Sequence, residues 1–229
     1  MGIGQVPYGV NRGGQTDGRR ILRSRRENAI IKSIQIPGGF GIVPSGQVMG
    51  IITESTNRVG QYVPRVPKTP SAGVTNAVGI TYVTATPSTY YAYVTMEDSY
   101  RFAVGDHIAI ADSAANDSTA EDLGAITAID RTTYTHVAMI TFTNSVSATF
   151  TVAQGAFIWI QTLTTYEFFK AQGILLGAVD TGKGEDAKGG QGALVVGNAE
   201  FYESGLYQYD SDAQTDLSST DLGDTIYLK

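Results

Sequence analysis

Apolar residues in this chain come in runs of a few positions, each closed by Gly, Pro, Asn or Asp. A helix needs its apolar period sustained over about 10–12 positions, whereas a strand is complete in about 4–8. Punctuation this dense leaves room for strands and turns. Residues 33–37 (SIQIP), 46–52 (GQVMGII) and 60–64 (GQYVP) have this form, as do 91–96, 105–112, 123–130, 137–143 and 156–161. In 91–96 (YAYVTM), Ala92, Val94 and Met96 share one face of an extended chain, and Tyr91, Tyr93 and Thr95 the other. That is the two-residue period of a strand. In 137–143 the inward set is Ala138, Ile140 and Phe142, and Trp159, the only tryptophan, shares a face with Phe157. Residues 173–179 (GILLGAV) and 192–197 (GALVVG) are apolar throughout, with a polar, Gly-rich hairpin tip expected between them at 182–192. Residues 198–207 read as a single helical turn, the polar stretch after them as a connection, and 225–228 as a last strand. There is no long helical pattern and no repeat of 20–50 residues. The expected fold is mostly β.

Three parts are expected. Residues 1–32 form a flexible basic N-terminal arm, 33–75 plus 165–229 a β-rich body, and 76–164 an inserted β module resembling a small barrel of about six strands. The boundary after the first body segment falls in the Pro-rich stretch 64–73. The arm is Gly-, Arg- and Gln-rich and cannot by itself offset the entropy of ordering. It carries seven cations against two carboxylates, whereas residues 171–229 carry ten carboxylates against three lysines, within a chain of net charge −6. A basic arm on an acidic body suits an acidic protein partner, another copy included. Arg12, Arg19, Arg20, Arg23, Arg25 and Arg26 are the candidate contacts. No aromatic side chain that could stack on bases lies between Tyr8 and Phe40, and guanidinium groups pair bidentately with carboxylates. A protein partner is therefore favoured over nucleic acid. There is no cysteine for disulfides or thiol chemistry, no run of the ~18–20 apolar residues of a membrane span, and no apolar segment near Met1 that suggests a secretory signal. Synthesis and use in the cytosol, or assembly into a particle there, is the expectation.

The chemical motifs are weak. Residues 177–184 (GAVDTGKG) come within one residue of a phosphate-binding loop, but Gly184 stands where a Ser or Thr must hold magnesium. Two carboxylates, Glu185 and Asp186, follow where helix amides should face phosphate. A turn is the expected reading. Those carboxylates lack the spacing of a calcium loop. His107 and His136 are the only histidines, too few for an ordinary zinc site, and no Gly-x-Ser-x-Gly elbow occurs. A Ser-His-Asp set is not decided by spacing, because such triads are not local in sequence. No catalytic residue, cofactor or metal is expected.

The two body segments resemble capsid decoration (head-stabilising) proteins of tailed bacteriophages, of the lambda D-like class. Residues 44–52 (PSGQVMGII) and 60–64 (GQYVP) resemble that family's alternation of glycine and apolar residues leading into a Gly-Gln-Tyr-x-Pro turn. Residues 173–180 (GILLGAVD), 193–201 (ALVVGNAEF), 204–206 (SGL) and 224–228 (DTIYL) resemble its second half, in the same order. The resemblance spans under half of the chain, and the insertion of about 90 residues and the long arginine-rich arm depart from it. It implies a β-tulip-like body and a homotrimer on the outside of an expanded phage head, with the arm reaching the major capsid protein and the virion surface as its place. An alternative is another virion structural protein, a head fibre or baseplate component, whose β module binds carbohydrate through Tyr90, Tyr91, Tyr93 and Trp159, although core packing is the plainer account of these aromatics. A β-rich hydrolase is a third reading, with only ordinary Asp, His and Ser residues behind it.

Overall fold

A computed structural model describes residues 29–66, 78–81, 83–111, 120–160, 170–218 and 226–228. The strands in chain order are β1 (Ile30–Ile36), β2 (Ile42–Val43), β3 (Val48–Ile51), β4 (Tyr62–Pro64), β5 (Val78–Ile80), β6 (Tyr91–Thr95), β7 (His107–Ala111) and β8 (Glu121–Asp130). They continue as β9 (Val137–Phe142), β10 (Phe157–Ile160), β11 (Gly173–Leu175), β12 (Val179–Asp180), β13 (Gly190–Gly197), β14 (Ala199–Phe201) and β15 (Ile226–Leu228). Two short helices, α1 (Met96–Ser99) and α2 (Ser211–Ser218), complete the regular structure. The protein is mostly β, as the punctuation of the sequence requires.

Strands from both ends of the chain interleave in one five-stranded antiparallel sheet, in the order β1-β13-β11-β3-β4. Its central strands are apolar in unbroken runs because both faces are covered. Met49, Leu175 and Leu194 point to one face and join the larger apolar cluster; Val48, Ile174 and Val195 point to the other. There they meet Ala213 and Leu217 of α2, Phe201 of β14 and Ile226 of β15. The outer strands approach each other, for Lys32 on β1 donates to the Tyr62 hydroxyl on β4 at 2.9 Å.

The middle of the chain forms a six-stranded sheet in the order β5-β10-β7-β8-β9-β6. A bridge between Thr81 and Val94 joins its two ends, so the sheet closes into a barrel. β8 lies mid-sheet, away from that closure: its first half pairs with β7 and its second with β9, with a bulge in each ladder where the strand turns the corner. Ala92, Val94, Ala138, Ile140 and Phe142 are all buried, as their alternation predicts. β7 and β10 are buried on both faces, and Trp159 lies opposite Ala109, whose small side chain leaves room for the indole. The larger apolar cluster runs through both sheets without a break.

Four details differ from the sequence reading. Met96 leaves the β6 face to start α1, where the Thr95 side chain accepts from the Asp98 amide at 3.1 Å. Residues 182–192 are more than a hairpin tip: β11 and β13 are its antiparallel arms, but between them β12 departs to pair with β2, and Gly184–Asp186 makes one 3-10 turn. Residues 198–207 contain strand β14 before their helical turn at Glu203–Gly205. The polar stretch beyond holds α2, nucleated by the Asp210 carboxylate accepting from the Ala213 amide at 2.8 Å.

Candidate functional site

Where the barrel meets the five-stranded sheet, charged side chains are buried together. Ser55 begins the arrangement locally: its hydroxyl oxygen accepts from the amides of Asn57 and Arg58, a side-chain turn that directs Arg58 back toward the barrel. The Ser55 hydroxyl donates to Asp106 Oδ1 at 2.8 Å, and Arg58 Nε lies 3.5 Å from the same oxygen as an ion pair without a hydrogen bond. Asp106 is fully buried, and its Oδ2 accepts from the Ala103 amide at 2.8 Å. Arg58 Nη2 donates to the Arg101 carbonyl at 2.9 Å, Arg101 Nε donates to the Gly39 carbonyl at 3.3 Å, and Arg101 Nη2 pairs with Asp98 at 2.9 Å. Burial pushes the Asp106 carboxyl up, with Arg58 opposing, and pushes both Arg58 and Arg101 down. Desolvation outweighs attraction here, as is usual for buried ion pairs. The network links residues before and after the start of the barrel, Gly39, Ser55 and Arg58 with Asp98, Arg101 and Asp106.

Two glycines let the backbones approach closely enough for these contacts. Gly39 has φ +97°, and a Cβ there would sit 2.6 Å from the Tyr100 carbonyl carbon; Gly105 has φ +92°, and a Cβ there would sit 2.4 Å from the Thr56 hydroxyl. Arg131 holds the turn after β8 against the same end of the barrel, donating to the Ser99 hydroxyl and carbonyl, both at 2.8 Å, and stacking on Tyr100 at 4.5 Å. The exposed Glu97–Lys183 pair, 3.0 Å apart, bridges the same boundary at little energetic gain.

Serine, histidine and carboxylate do meet at this joint, but not as a proton relay. The Ser55 proton is committed to Asp106, while His107 Nδ1 faces Glu54 at 3.3 Å. The second histidine, His136, is exposed on the turn before β9. The phosphate-loop look-alike ends in the single 3-10 turn at Gly184–Asp186, so no helix N-terminus stands behind it. Glu185 is exposed in that turn. Among the described residues no group of three or more His, Asp or Glu is placed to hold a metal.

A second surface lies on the outside of the barrel. Tyr91 and Tyr93 point outward from β6, paired across to Thr141 and Met139 of β9. Tyr134, from the turn between β8 and β9, folds onto Tyr93. The Tyr91–Tyr93 and Tyr93–Tyr134 ring centroids are 5.6 and 5.5 Å apart, at 73° and 85°, and the Tyr93 and Tyr134 hydroxyls are 3.4 Å apart. Tyr90, Tyr91 and Tyr134 are 52%, 41% and 42% exposed, whereas Trp159 is only 1% exposed and packs on Phe157. The carbohydrate alternative grouped Trp159 with these tyrosines; core packing, the plainer account of those aromatics, holds for Trp159, and Tyr134 is the ring that joins Tyr93 at the surface.

The arm arginines Arg12, Arg19, Arg20, Arg23, Arg25 and Arg26 lie outside the described residues. Sequence reasoning missed Arg58, Asp98, Arg101 and Asp106 as a group, since 51 residues separate Ser55 from Asp106 and no local pattern links them. Among the described residues no helix is long and apolar enough to cross a membrane. No family model, curated protein or solved structure matches the chain.

Proposed function

We propose that this protein is a capsid decoration protein: a β body that clamps, as a homotrimer, onto the outside of an expanded bacteriophage head, holds the major capsid protein through the basic arm, and carries the barrel as an attached module without catalytic work of its own. The reading rests on the two sequence blocks that resemble this class, and one structural observation supports joining them. Those blocks, separated by more than a hundred residues, supply adjacent strand pairs, β3 with β4 and β11 with β13, to one sheet, joined where β11 pairs with β3. A stiff sheet covered on both faces suits a clamp, and a basic arm that orders on contact covers much partner surface for few residues. Many weak clamps repeated over a shell resist internal pressure through multivalency.

The test is addition of purified protein to undecorated expanded heads, with bound copies counted and the free protein's mass measured in solution. Saturation in multiples of three per quasi-threefold position, by a trimer in solution, is the expected result. The structure puts Ile30, Ile31 and Lys32 in β1 rather than in the arm, so the deletion stops at residue 28; it is expected to abolish attachment and to leave the denaturation midpoint of the body unchanged. Absence of stoichiometric binding by the intact chain overturns the proposal, and undiminished binding by the truncated chain removes the arm from it.

A further inference from the structure

We infer that the arginine cluster Arg19–Arg26 of the basic arm docks on its own chain, against the acidic surface that Glu203, Asp210, Asp212 and Asp216 make around α2. The inference stands whether or not the chain sits on a phage head. Arg19, Arg20, Arg23, Arg25 and Arg26 fall within a short run that holds no carboxylate, whereas the chain has no Lys or Arg between Lys188 and Lys229. The fold gathers the carboxylates. Tyr209 donates to Glu203 at 3.2 Å, and Asp210 accepts from the Ala213 amide at 2.8 Å and pairs with Arg65 at 2.9 Å. Asp212 and Asp216 lie one turn apart on the same flank of α2. Burial raises the Asp216 carboxyl and Asp212 adds to the rise, while the Ala171 amide, Arg65 and Lys170 oppose it. Hydrogen bonds from neutral donors leave the negative charge in place. The last turn of α2 has no basic residue of its own, and a cation is favoured at that end of a helix.

Position selects the occupant. Ala29, where the described chain begins, packs against the apolar cluster of Phe201, Ala213 and Leu217, as Leu206 and Tyr209 do. Ile30 pairs with Gly197, just ahead of β14. The arm therefore leaves the body at the acidic surface. At about 3.3–3.6 Å per residue, Arg26 lies within ~10 Å of Ala29 along the chain and Arg19 within ~35 Å, which spans the roughly 12 Å length of α2. A tethered segment meets its site at an effective concentration on the order of millimolar, an advantage that neither a separate basic protein nor another copy's arm has. Single exposed ion pairs are weak, so the contact needs several arginines at once and yields to a more acidic partner surface.

The chain has no cysteine. Ser24→Cys in the arm and Gln214→Cys, exposed on α2, therefore place two spin labels in the full chain, and double electron–electron resonance reads their separation. The labelled chain is first shown to keep the parent's denaturation midpoint. The expected result is one short, narrow separation at low salt that is lost in ~1 M salt, where charges are screened within about 3 Å. The same loss is expected on the fivefold substitution Arg19→Gln, Arg20→Gln, Arg23→Gln, Arg25→Gln and Arg26→Gln, which leaves the body untouched. A broad separation at low salt, one indifferent to salt, or one that survives the arginine substitutions overturns the inference. So does loss of the short separation when the labelled chain is unfolded and refolded in excess unlabelled chain, since the surface then takes another copy's arm.

Discussion

The Ser55 hydroxyl and Asp106 Oδ1 are 2.8 Å apart although the residues are 51 positions apart, one in the loop after β3 and the other just ahead of β7, and Asp106 is fully buried beside Arg58. Truncating one member of such a set leaves the others buried without partners. Asp106→Ala is expected to lower stability by about 3–5 kcal/mol, the usual consequence of stranding a buried ion. The double substitution Arg58→Met with Asp106→Leu is expected to recover most of that loss. Urea denaturation of the three chains checks this, and an Asp106→Ala midpoint equal to the parent's would remove the joint from the stability of the fold.

Gly39 and Gly60 both have positive φ, +97° and +85°, but a Cβ at Gly39 would strike the Tyr100 backbone at 2.6 Å while one at Gly60 meets nothing within 4 Å. Gly60→Ala therefore carries only backbone strain, about 1–2 kcal/mol. Gly39→Ala adds a clash between body and barrel that no flexible side chain can relieve. Its loss is expected to exceed that of Gly60→Ala by at least ~1 kcal/mol, read as the difference between the two denaturation midpoints.

Asp130 accepts hydrogen bonds from the Thr133 and Thr132 side chains and amides, and these hold its carboxyl well below the ordinary 3.8. A depressed folded pKa contributes stability above the unfolded value and loses it as pH falls toward the folded one. Asp130→Asn is therefore expected to melt below the parent between pH 5 and 7, with the gap narrowing once pH drops beneath the usual carboxylate range of about 4. Thermal melts across that range check the sign. A gap that widens in acid contradicts it. The group is exposed, so the difference is small.

Two phenols are expected to ionise late. The Tyr134 hydroxyl, then burial, pushes Tyr93 up to about 12, and burial followed by Glu203 pushes Tyr209 to about 12. Any stability tied to their neutral forms is complete below about 10 and is lost as pH rises through about 12. In an alkaline titration followed by phenolate absorbance, Tyr134→Phe is expected to bring Tyr93 to lower pH and leave Tyr209 where it was. An unchanged high-pH step in that variant counts against the Tyr93–Tyr134 contact.

What could be read from the sequence was whatever repeats within a few residues. The period of two at Ala92 and Val94, and at Ala138, Ile140 and Phe142, specified which side chains turn inward, because alternation is a property of the extended backbone itself. The density of Gly and Pro determined that the protein would be mostly β. Helix α2 escaped notice because its inward face is only Ala213 and Leu217, and those gain their burial from strands β14 and β15 rather than from any helical pattern of their own. Trp159 was put on the right strand beside Phe157, with core packing as the plainer account of it, yet only the closed, double-covered barrel shows that Tyr90 and Tyr91 stay at the surface and that Tyr134 belongs with the surface rings. The pairing of β12 with β2 and the joint of Ser55, Arg58, Arg101 and Asp106 were decided by tertiary structure alone. Strand partners and buried ion pairs are chosen by which surfaces meet after the chain has doubled back, and neither leaves a period in the sequence for a local reading to find.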